Sequence, residues 1–124
     1  MAKEFDRTQR LGQLLKEEIS RLLYREVKDA RIGAVTITDV EVTPDLMQAT
    51  VYVQVGGDDE RKGEALQGLS SASGFMRSRL GRELRIRRAP ELHFVIDRTQ
   101  ERAARINQLL AEVAEESSED GNEE

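Results

Sequence analysis

The sequence predicts an α+β domain in the order α-β-β-α-break-α-β-α, with a three-stranded sheet covered on one face by helices. Three observations carry that expectation. A long apolar stripe with helical spacing opens the chain, from Leu11 to Leu23. Two alternating runs, Ala34 to Val42 and Met47 to Val55, follow with only TPDL (Thr43 to Leu46) between them, which is the spacing of an antiparallel hairpin. A third apolar run, LHFVI (Leu92 to Ile96), comes only after a helical crossover.

Residues 7–28 are expected to form the first helix, because Leu11, Leu14, Leu15, Ile19, Leu22 and Leu23 share one face. In AVTITDVEV (Ala34 to Val42) the alternation slips near Asp39, where a bulge is expected. MQATVYVQV (Met47 to Val55) alternates cleanly, with Met47, Ala49, Val51, Val53 and Val55 on one face. GGDDERKG (Gly56 to Gly63) ends the hairpin, and Asp58 or Asp59 is placed to cap the next helix, whose apolar side is Ala65, Leu66 and Leu69. Gly74 then predicts an interruption, after which Met76, Leu80 and Leu84 begin a further helical segment that Pro90 stops. Asp97 or Thr99 can cap a last helix with Ala103, Ile106, Leu110 and Val113 on one face. Residues 1–111 are read as one folded domain, and 112–124 as an acidic disordered tail.

Composition removes several function classes. The chain has no cysteine, which excludes thiolate chemistry, disulfides and cysteine-based zinc sites. It has one histidine, His93, so neither a relay of the serine-protease kind nor a histidine-rich metal cluster is supported, and His93 reads as structural. GGDDERKG lacks the lysine–hydroxyl pair of a phosphate-binding loop, and Asp58 and Asp59 read as capping residues in preference to metal ligands. No cofactor, metal or catalytic role is expected. A charged N-terminus and the lack of any long apolar run predict a cytoplasmic protein with no membrane association.

The net charge of −5 hides a strong regional pattern. Residues 112–124 carry seven acidic and no basic side chains, so the rest of the chain is at +2. Residues 32–74 hold seven acidic and two basic groups, whereas residues 75–98 hold seven arginines against Glu83, Glu91 and Asp97. Projected at 100° per residue, Arg79, Arg82 and Arg85 face roughly 160° away from Met76, Leu80 and Leu84. A single exposed arginine signifies solubility, but a group with Glu83 as its only carboxylate neighbour points to phosphate, which a guanidinium grips with two parallel bonds. A helix break at Gly74 would add backbone amides and the positive end of a helix dipole. The plainer role for Gly74 is a close helix–sheet contact. No aromatic is expected on this face, so base stacking is not expected as the main source of affinity.

Three stretches, VKDARIGAVTITDVEVTPDL, ATVYVQVGG and ASGFMRSRLGRELRIRRAPELHFVID, give the chain a clear likeness. From Arg7 to about Leu110 it resembles the bacterial ribosome-binding factor A family, departing at Ala30 of KDAR, where proline is commoner. The resemblance implies a KH-like fold of the type II order. The usual GxxG loop of such folds would be replaced by a helix–kink–helix at Ala72, Ser73 and Gly74. It also implies a non-catalytic assembly factor that binds the small ribosomal subunit and its 16S rRNA during late maturation and rRNA processing, and supports growth in the cold. By that resemblance Ala72, Ser73 and Gly74 with Arg77, Arg79, Arg82, Arg85 and Arg88 form the RNA face, and Lys3, Arg7 and Arg10 a second basic surface. A monomer is expected. A GTPase or another assembly factor is the kind of partner that would evict it, though no residue identifies one. The competing reading is a protein-interaction module whose arginine face meets an acidic protein; the salt slope and competition by RNA separate the two.

Overall fold

The computed structural model describes the backbone of residues 2–122 and the side chains of residues 6–117. Six elements follow one another: α1 (Ala2–Arg25), β1 (Val35–Val42), β2 (Gln48–Val55), α2 (Asp59–Glu83), β3 (Glu91–Ile96) and α3 (Thr99–Asn122). The strands form one mixed sheet in the order β1-β2-β3. β1 and β2 pair antiparallel from Val35↔Val55 to Val42↔Ala49, and the register shifts between Ile37 and Asp39, leaving Thr38 as the extra residue of the expected bulge. The bulge lets Ile37 and Val40, three apart, both turn inward. β2 and β3 pair parallel from Gln48↔Glu91 to Val53↔Ile96, with α2 as the crossover.

One face of the sheet meets α1 and α2. Leu15, Ile19 and Leu22 from α1, and Ala65, Leu69, Met76 and Leu80 from α2, pack against Ala49, Val51, Val53 and Val55 of the central strand. This core is aliphatic throughout and contains no buried polar side chain among the described residues. Met47, expected on the inward face of β2, precedes the strand and is substantially exposed. α1 comes very close to β1 at Gly12, where a Cβ would stand 2.7 Å from the carbonyl oxygen of Val40. Asp58 caps α2 by accepting a hydrogen bond from the Arg61 amide (2.9 Å). Asp97 opens α3, accepting from the Thr99 amide (2.9 Å) while also accepting from Thr38 Oγ1 (2.6 Å) at the β1 bulge.

One expectation is corrected. The interruption at Gly74 is absent: α2 is one 25-residue helix from Asp59 to Glu83. Gly74 does not adopt positive φ, which among the glycines is confined to Gly33 and Gly57. The apolar stripe explains the continuity, since Ala65, Leu69, Met76 and Leu80 are all fully buried on one side of α2. α3 runs from Thr99 as far as Asn122. Good helix formers without a glycine run from Gln100 to Asp120, and Gly121 stands at the end. α3 is exposed at every residue from Thr99 to Ser117, and Ile106, Leu109, Leu110 and Val113 are each more than half exposed. No helix among the described residues is long and apolar enough to cross a membrane.

Candidate nucleic-acid interface

The arginine-rich segment is divided by the fold into residues with different duties. Arg77 lies beside the core stripe of α2 and is half-buried. Its Nε donates to the carbonyl of Pro90 (3.1 Å) and its Nη2 to that of Ala89 (3.0 Å), so it clamps the buried loop that leads into β3. Arg79 turns toward the end of α1, where its Nε stands 3.4 Å from the Glu26 carboxylate. Its guanidinium also lies 5.3 Å from the centroid of the Phe75 ring, one turn earlier on α2. Neither side chain is simply a solvated cation.

Arg82, Arg85, Arg87 and Arg88 form the exposed remainder, at the C-terminal turn of α2 and in the loop after it. None of their side chains is engaged in an ion pair or hydrogen bond among the described residues. Arg85 does not continue the helix face as the projection predicts. It adopts the left-handed conformation (φ 53°) just past the C-cap Leu84, the position where helices usually place glycine. A side chain there costs about 1 kcal/mol, and what the chain keeps in exchange is a fourth guanidinium at this end of the molecule. These cations also complement the negative end of the α2 dipole.

Ala72 and Ser73 are half-buried and Gly74 is exposed, all in the middle of α2. The Ser73 hydroxyl donates back to the carbonyl of Ser70 (2.7 Å). Because the helix is unbroken, the amides after Gly74 bond within it and do not form a helix-start anion site. Gly74 leaves open space above the backbone, with nothing within 4 Å of where a Cβ would be.

The second basic surface does not join the first. Lys3 lies in the first turn of α1, outside the residues whose side chains are described. Arg7 is exposed, and Arg10 lines a groove with Asp39 and Glu41 of β1, away from the α2 arginines. Arg21 and Arg25 were not predicted. They line a cleft of about 210 Å³ together with Arg79, Glu18, Glu26 and Glu83, where Arg21 pairs with Glu18 (2.8 Å), so the last turns of α1 add a charge-balanced mixture of arginines and glutamates beside α2. Only tertiary packing brings them there. Phe75 was also missed: its ring is 44% exposed, which overturns the expectation of a face without aromatics. His93 is exposed on β3, with Nε2 2.5 Å from Gln48 Oε1 on the neighbouring strand.

The same outline recurs in known proteins. Residues 7–110 match the family model for ribosome-binding factor A. The chain is 46% identical over 117 residues to ribosome-binding factor A of Halothermothrix orenii, covering 94% of this chain and 96% of that protein. It is 45% identical over 116 residues to the Geobacter sulfurreducens protein of the same name, covering 94% and 98%. The crystal structure of ribosome-binding factor A from Thermus thermophilus superposes with a TM-score of 0.66 at 28% identity, over 74% of this chain and 97% of that one. A homology model of the Thermus thermophilus factor, fitted into a cryo-electron microscopy map of a 30S complex, superposes with a TM-score of 0.53 at 32% identity, over 72% and 89%.

Proposed function

This chain belongs to the ribosome-binding factor A family, and from that premise we propose that it is a non-catalytic, cytoplasmic assembly factor of KH-like fold. It binds the free small ribosomal subunit and its 16S rRNA during late maturation and rRNA processing, with a role in cold adaptation. The observation that carries the RNA reading is the set of four exposed, unengaged arginines, Arg82, Arg85, Arg87 and Arg88, at one end of α2. Guanidinium forks suit phosphate oxygens, and phosphate contacts fix position without reading base sequence. Binding stabilises one rRNA arrangement over another only to the extent that affinity for the two differs.

Co-sedimentation with purified small subunits across a salt series tests this reading. Wild type is compared with an Arg82/Arg85/Arg88→Glu variant and with an Arg7/Arg10→Glu variant, each checked for folding by circular dichroism. Arg77 is left intact because its loss would disturb the loop at Pro90. The α2 variant is expected to lose salt-sensitive binding while the α1 variant retains most of it. Undiminished binding of the α2 variant overturns the assignment of the interface to this end of α2. A shallow salt slope in the wild type together with binding that free RNA does not compete away favours an acidic protein partner of the particle over RNA.

A further inference from the structure

We propose that Phe75 and Arg79 form a stacking platform for one unpaired nucleobase of the bound RNA. The proposal rests on the RNA reading above and deepens it, because phosphate contacts alone would not need an aromatic on this face. Phe75 is the one large apolar side chain of α2 that is substantially exposed, while Leu69, Met76 and Leu80 of the same helix are fully buried. Its neighbours along the exposed side are Ser71, Gly74 and Ser78, which are too small to shield the ring. Arg79 lies over one face of the ring, which leaves the opposite face for a planar base.

Arg79 defines one boundary of the platform. Its guanidinium, 5.3 Å from the ring centroid, is held from the other side by Glu26 at 3.4 Å. That restraint lowers the side-chain entropy lost when a base adds to the stack, and it leaves a cation next to the base for the π-face or a flanking phosphate. Arg82 lies a further turn along, and Arg25 lines the cleft that Arg79 shares, in which Arg21 is paired with Glu18. The occupant that fits an aromatic set among cations is a nucleotide, with its base on the ring and its phosphates on the guanidinium groups. A paired base within a duplex presents no face to such a platform, so the preference is for unpaired RNA.

Full-length protein is titrated by fluorescence anisotropy against a short unpaired ribo-oligonucleotide and an RNA duplex of equal length. The variants are Phe75→Leu, Phe75→Trp and Arg82→Ala. Phe75→Leu is expected to weaken single-strand binding about tenfold, in the range one base stack contributes, with duplex binding and the salt slope unchanged. Phe75→Trp is expected to retain affinity, and because the natural chain has no tryptophan, quenching of its emission by the oligonucleotide reads stacking directly. If Phe75→Leu binds the single strand as wild type does and the tryptophan is not quenched, while Arg82→Ala weakens binding, the platform is refuted and the RNA reading survives. If Phe75→Leu weakens binding to small subunits but not to the oligonucleotide, Phe75 contacts protein and the proposal also fails. Wild-type protein that binds neither RNA would remove the RNA reading itself.

Discussion

Replacing Gly74 with alanine separates an unbroken α2 from two helices joined at a kink. In the unbroken helix Gly74 has no positive φ, and a Cβ meets nothing within 4 Å. Alanine then adds no clash, restricts the unfolded chain and improves helix propensity, together about 0.5–1 kcal/mol of stability. For a domain of about 100 residues, 1 kcal/mol corresponds to roughly 4–8 °C in Tm. Urea denaturation followed by far-ultraviolet circular dichroism is the assay, with a higher midpoint and an unchanged m-value expected. Gly63→Ala is the internal control, since Gly63 is also helical, exposed and unobstructed. A lower midpoint for Gly74→Ala beside a higher one for Gly63→Ala would refute the unbroken helix, because only a backbone that alanine cannot follow would produce that split. Small-subunit binding adds a second reading. If Gly74→Ala is more stable yet binds less well, the missing side chain serves the approach of RNA; if Gly63→Ala loses binding equally, the effect is not local to Gly74.

Four further outcomes are expected. Arg77→Ala should cost about 2–3 kcal/mol in a urea titration, as two charge-assisted bonds to the Ala89 and Pro90 carbonyls are lost. Arg82→Ala should change stability by less than about 0.5 kcal/mol while lowering the salt slope of rRNA binding by about 0.7–0.9. Arg85→Gly should stabilise the fold by about 1 kcal/mol, by relieving a left-handed side chain, and should weaken binding in the co-sedimentation assay. Hydrogen bonds from Thr38 and then Thr99 hold the Asp97 carboxyl down to about 2, below its ordinary 3.8. A lowered folded pKa means that the carboxylate's contribution is present above the ordinary value and lost as pH falls from about 4 toward 2. Urea midpoints measured across that window should therefore fall less steeply for Asp97→Asn than for wild type.

The fold was legible wherever burial imposes a period. MQATVYVQV alternates because β2 is the central strand with one face in the core, and the slip near Asp39 marked a true bulge. Gly74 misled because local propensity was weighed without the stripe that spans it. A glycine costs a helix roughly 1 kcal/mol, whereas burying Leu69, Met76 and Leu80 on one continuous face contributes roughly 1.5–3 kcal/mol each. The phase of Ala65 and Leu69 with Met76 and Leu80 was the available signal. Arg77 was also readable in principle: it projects roughly 20° from Leu84, at the rim of the apolar sector. Such a position suits an arginine that packs its stem and bonds backbone carbonyls. Arg21, Arg25 and the Arg79–Glu26 pair were not readable, because they depend on where α1 ends relative to α2.

An unbroken α2 changes how the proposed site must work. A helix start would offer phosphate several preordered amides and the positive end of a dipole. The arginines gather instead at the helix's C-terminal end, where the dipole repels an anion and free carbonyls face outward. The cations there first offset that negative field, and only their surplus is available to phosphate. Four exposed guanidinium groups in seven residues, one of them in a conformation that disfavours any side chain, are consistent with that requirement. Recognition by reach rather than by fixed amides places the cost in side-chain entropy, which Arg79 reduces through Glu26 and Phe75. The site is thus graded: Arg77 belongs to the fold, Arg79 is held ready at its edge, and Arg82, Arg85, Arg87 and Arg88 are free to follow the contour of a phosphate backbone.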